Sequence, residues 1–180
     1  MGIFTYSSGI NIRKSVQNLV NYFNFDMSVV ETMLSERNVI MGLGDGGAHV
    51  GFILDAGFPT WLMTYWGRER GRFTMPEIIR RLTSDTAAAA GLHDRGVIEV
   101  GKKADLNVID YDNVSFGKPY VTFDLPAGGR RLLQKALGYE ATIVSGVVTY
   151  RGGEATGQLP GELVRGQRQL DGSQQVIAAE

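Results

Sequence analysis

The order of elements legible in this chain is helix, strand, helix, then several short strands, which predicts an α/β segment followed by a small β-module. Three observations carry that reading. Residues 38–43 form a short apolar, β-prone run ending in glycines. Residues 75–90 have helical character with both ends marked. From residue 97 onward, short runs of mixed or alternating polarity are separated by Gly and Pro turns.

The elements follow in order. Ile12, Val16, Leu19, Val20 and Phe23 recur at helical spacing and predict an amphipathic helix over 12–24. A second helix is expected from Ser28, where Ser28-Val29-Val30-Glu31 fits a capping box and Met27, Val30 and Leu34 share a face. Residues 38–43 read as a buried strand, and the glycine-interrupted stretch 48–58, ending before Pro59, reads as loop. Thr74 is the expected N-cap of the helix Met75 to Ala90, with Pro76 in its first turn and Gly91 as its C′ glycine. Val97–Val100 and Asp105–Ile109 are expected strands joined by Gly101-Lys102-Lys103. Residues 112–140 read as loop-rich, and 141–145 with 147–151 as a hairpin around Ser145-Gly146. The polar end 167–180 reads as a frayed tail.

Bulk properties narrow the function classes. At 180 residues there is room for one domain, or one and a half small ones. A net charge of −1 gives no footprint for nucleic acid or an anionic membrane, so neither is an expected partner. With no Cys, a disulfide framework and a thiolate metal site are both impossible within the chain. The start lacks a basic region followed by an apolar stretch, so no signal peptide is visible and a cytoplasmic location is expected. No apolar run approaches the ~20 residues of a membrane helix. A single strand flanked by helices cannot satisfy its own edges and faces, so the chain reads as the end of something larger, or as a piece that associates, for instance as a homo-oligomer.

The densest chemistry lies in Gly42-Leu43-Gly44-Asp45-Gly46-Gly47-Ala48-His49. Asp45 follows the expected strand, the position where α/β barrels place catalytic groups. It could be a metal ligand and general base, or simply the Asp of an Asp-Gly-Gly turn. The pattern Gly42-x-Gly44-x-x-Gly47 also matches a dinucleotide-binding fingerprint, with Glu69 as the best acidic ribose partner. His49 is a candidate for the rim of the same pocket, and Arg68 and Arg70 could hold a substrate carboxylate or sit in a solvated loop. His93 reads as structural, and Ser84 and Asp85 have no paired base.

Together, three blocks resemble the C-terminal portion of the amidohydrolase superfamily. These are Gly42–His49, then Thr83-Ser84-Asp85-Thr86-Ala87 leading to Gly91-Leu92-His93-Asp94-Arg95-Gly96, then Gly101-Lys102-Lys103-Ala104-Asp105-Leu106-Asn107-Val108-Ile109-Asp110. Asp124-Leu125-Pro126-Ala127-Gly128-Gly129-Arg130-Arg131 and Thr156-Gly157-Gln158-Leu159-Pro160-Gly161 are similar to late blocks of its N-acyl-D-amino-acid deacylase branch. The resemblance runs from about Tyr22 to Gly166.

The resemblance implies the last part of a metal-dependent (β/α)₈ barrel over residues 1–92. Part of a small β-sandwich follows over 93–166, then a disordered tail over 167–180. It implies zinc or another divalent metal, and a small N-acyl amino acid or related amide as substrate. Asp45 falls on the aspartate that binds metal, takes the proton of the attacking hydroxide and passes it to the leaving amine. The family's His-x-His and its other ligands are absent, and one Asp does not make the three protein ligands usual for catalytic zinc. The expectation is therefore a C-terminal piece of an amidohydrolase that is inactive without an N-terminal complement. The alternatives are a non-catalytic β-module that keeps the scaffold, or a dinucleotide-binding domain.

Overall fold

A computed structural model describes residues 27–42 and 49–164, and the elements and contacts of the fold are those of the described residues. The helix expected over 12–24, Asp45, Gly44, Gly47 and the tail 167–180 lie outside them.

Helix α1 (Ser28–Ser35) buries Val30 and sets Met27 and Leu34 against the core, so the expected face is correct. Its start differs. Met27 is the N-cap, with helical φ/ψ and no side-chain cap hydrogen bond, so the capping box at Ser28 does not form. The other end is held from outside. Arg81, itself buried, donates to the carbonyls of Leu34 (2.5 Å) and Glu36 (3.2 Å), and its guanidinium lies over the Phe73 ring. A cation on the last carbonyls of a helix satisfies orphan acceptors and complements the dipole. Arg72 adds an ion pair to Glu31 and a hydrogen bond to Ser35.

The strand expected over 38–43 is not formed in its described residues 38–42. Among the described residues no strand pairs with this stretch, and Val39 and Ile40 are exposed while Met41 is buried. An apolar run reads as a strand in sequence, but it becomes one only where a neighbour offers a ladder.

Residues 49–54 are turn and irregular chain, as expected for a loop, but the end of the span expected as loop, 55–58, is helical. A 3-10 turn (Asp55–Gly57) leads into α2 (Phe58–Trp61), with Pro59 in its first turn, and then into a π-helical stretch Leu62–Glu69. The wider π turn brings both Tyr65 and Trp66 onto Trp61. Tyr65 stacks on Trp61 at 4.8 Å between ring centroids, and Trp66 meets Trp61 edge-on at 5.7 Å. Trp61, Met63, Trp66, Phe73 and Ile78 then form the centre of the core, with Val114 and Phe116 closing it from the β-module.

The expected helix 75–90 is present as two. Thr74 caps α3 (Met75–Leu82) by accepting the Glu77 N–H, as expected. The chain breaks at Thr83 (φ −120°, ψ −84°) and resumes as α4 (Ser84–Ala89). Gly91, at φ +72°, ends it with bonds Leu92 N–H to Ala87 O and Gly91 N–H to Ala88 O, the two bonds of a Schellman motif.

The β-module is all antiparallel. β1 (Leu106–Ile109), β6 (Tyr139–Val144), β7 (Val147–Arg151) and β8 (Glu154–Ala155) make one sheet in the order β1-β6-β7-β8. β2 (Ser115–Phe116) pairs with β5 (Ala136–Leu137), and β3 (Tyr120–Leu125) with β4 (Gly129–Leu133). Segments 105–109 and 141–151 therefore behave as expected. Residues 97–100 do not form a strand: Ile98 and Val100 stand in solvent with nothing to pair against. Residues 112–140, expected to be loop-rich, hold four strands. At Gly138 (φ +84°) a Cβ would sit 2.7 Å from the Val114 Cα, so only glycine lets the β5–β6 corner press onto buried Val114.

Candidate functional site

Asp45 lies between two described stretches. Upstream are Met41, buried, and Gly42, exposed. Downstream is His49, exposed, with left-handed backbone (φ +46°) and a carbonyl that accepts the N–H groups of Phe52 (2.8 Å) and Ile53 (3.2 Å). His49 thus opens a tight turn. A left-handed φ is uncommon for a non-glycine residue, and His is among those that adopt it more readily.

Met41 and Gly42 belong to the wall of a cleft of about 400 Å³. The remaining wall is mostly apolar, with Phe58, Met63, Ile79, Leu82 and Ile109, and its polar members include Thr83, Thr86, Asn107 and Tyr139. Tyr139 shares a 2.7 Å hydrogen bond with Thr60, joining β6 to α2. Burial pushes its phenol pKa up, so the hydroxyl stays protonated at neutral pH.

The two arginines of the expected carboxylate site have other contacts. Arg68 gives its guanidinium to three carbonyls of the β1–β2 connection: Tyr111 (2.9 Å), Asp112 (3.2 Å) and Val114 (2.7 Å). It fastens the π-helical stretch to the β-module. Arg70 is exposed, donates to the Tyr65 hydroxyl at 3.1 Å and lies over that ring, and this hydrogen bond raises its pKa. Neither arginine is close in sequence to Asp45, and the described contacts tie them to the scaffold. Ser84 donates to the Arg80 carbonyl and Asp85 pairs with Arg80, so each has a local helix role. The His93 carbonyl accepts the Lys102 ammonium.

The Gly101–Asp110 block has a structural logic that spacing alone does not disclose. One Asp105 oxygen accepts the Ser145 N–H at 2.8 Å, and the other faces Arg95 at 3.4 Å. The Gly146 N–H bonds the Ala104 carbonyl. The residues that sequence reasoning did not single out are Arg81, Asp105 and Tyr139. Asp105 sat inside a quoted motif, whereas the partners of Arg81 are distant backbone carbonyls that leave no pattern.

The glycine-rich dinucleotide pattern needs a helix directly after its last glycine. Residues 49–54 are non-helical, and Glu69 ends a π-helical stretch rather than a second strand. A metal fares no better on the described donors. Among the described residues no three His, Cys, Asp or Glu side chains come together to hold an ion. Those residues do not fit a catalytic metal by themselves. No helix among them is long and apolar enough to cross a membrane.

Helices followed by an antiparallel module define a mixed α/β protein. The sequence profile of the Amidohydrolase family matches residues 15–150, and the chain belongs to that family. It is 35% identical over 103 residues to a 5-methylthioadenosine/S-adenosylhomocysteine deaminase of Desulfitobacterium hafniense, a match covering 52% of this chain and 22% of that protein. It is 29% identical over 98 residues to an alpha-D-ribose 1-methylphosphonate 5-triphosphate diphosphatase of Escherichia coli K12, covering 54% and 24%. The chain thus spans about a quarter or less of the length of these relatives. A crystal structure of D-aminoacylase, described as defining a subset of amidohydrolases, is similar at 29% identity and a TM-score of 0.44, over 56% of this chain and 19% of that one. A D-aminoacylase structure concerned with a binuclear metal centre is similar at 26% identity and a TM-score of 0.43, over the same shares.

Proposed function

We propose that this chain is the Asp45-bearing part of a metal-dependent hydrolase that cleaves a non-peptide amide C–N bond in a small molecule, as N-acyl-D-amino-acid deacylases do. The observation that carries the proposal is the family match over 15–150, which takes in Asp45, the helices and most of the β-module. In this reading residues 1–92 belong to a barrel and 93–166 to a β-sandwich. Asp45 is the proton carrier. It accepts a proton from the water whose oxygen attacks the amide carbon, and delivers it to the nitrogen as the C–N bond breaks. The Gly42-x-Gly44 and Gly46-Gly47 pairs let backbone and substrate approach it closely. His49, exposed and four residues on, is the polar rim; Arg70, also exposed, is the more distant candidate for a substrate carboxylate. Arg68 supports the site through its hold on residues 111–114.

Metal dependence fits the family, yet the described donors do not form a site. In this reading the further ligands come from a polypeptide segment outside this sequence, and the chain alone does not turn over. The same donor set is what favours the second reading, a non-catalytic module that keeps the scaffold. Hydrolysis of N-acyl-D-amino acids separates them. With a divalent metal present, the chain is assayed alone and with a polypeptide supplying a His-x-His barrel segment. Activity only in the mixture is expected. Inactivity of a folded, metal-loaded mixture toward every amide tried would overturn the enzymatic reading.

A further inference from the structure

We draw no further inference here: the strongest candidate, the mostly apolar cleft of about 400 Å³ that Met41, Phe58, Met63, Ile109 and Tyr139 help to line between α2 and the β-module, is an apolar face, and nothing in the structure shows what covers it.

Discussion

The carboxylate of Asp105 accepts the backbone N–H of Ser145 at 2.8 Å, across forty residues of sequence. Ser145 and Gly146 both have positive φ (50° and 80°), the geometry of the tight β6–β7 turn. The start of β1 thereby fixes the tip of the hairpin that β1 pairs with. Asp105→Ala should cost about 1–2 kcal/mol, the worth of a charge-assisted hydrogen bond and its lost order. Urea unfolding measures it. Arg95→Gln, which leaves the Ser145 bond intact, should cost less.

Arg81 should be far more sensitive than its neighbour Arg80. Arg81 is buried on the carbonyls of Leu34 and Glu36, while Arg80 makes an exposed pair with Asp85. Arg81→Ala leaves the Leu34 carbonyl without its donor and the Glu36 carbonyl with the Val39 N–H alone, and should lose roughly 2–3 kcal/mol. Arg80→Ala should lose less than about 1 kcal/mol. Equal losses would contradict the capping role.

The Arg131 guanidinium makes a two-point hydrogen bond to Asp124 across the β3–β4 hairpin and holds that carboxyl below its ordinary range. A depressed folded pKa means the contribution is present above the ordinary carboxylate range. It is lost as pH falls through the folded value. An NMR titration of Asp124 should show the low midpoint, and Arg131→Gln should return it upward. A midpoint unmoved by that substitution would remove Arg131 as the cause. The pair is solvent-exposed, so its effect on overall stability should be small.

Val39 and Ile40 are exposed although their run reads as a buried strand. The proposed barrel role gives them a neighbouring strand, from the rest of a longer enzyme or from a second copy. The chain by itself should associate in light scattering, and Val39→Lys with Ile40→Lys should reduce that association. A clean monomer with unchanged behaviour in the variant would count against it.

What was legible in the sequence was local chemistry. Thr74 as a cap, Gly91 as a terminator, the Ser145-Gly146 hairpin and the strand at 106–109 all follow from propensities that act within a few residues. Elements that depend on distant partners were not legible. Residues 38–42 and 97–100 have strand composition but no ladder to join, whereas β2 to β5 pair inside a stretch rich in Pro and Gly. The π-helical stretch was hidden because Trp66, Gly67, Arg68 and Arg70 look like loop chemistry. It is the stacking on Trp61 and the Arg68 contacts that hold it. For the candidate site, the motif around Asp45 pointed to the family, while the scaffold role of Arg68 rests on carbonyls that no side-chain pattern encodes.

Turnover of Asp45→Asn tests the central claim most directly. In a metal-loaded enzyme assembled with this chain, kcat for amide hydrolysis should fall by about 10²–10⁴-fold, the usual loss of a general base. The midpoint of thermal unfolding should barely move. If Asp45 only shapes a turn, turnover stays within tenfold of the unaltered enzyme, and that result would contradict the account.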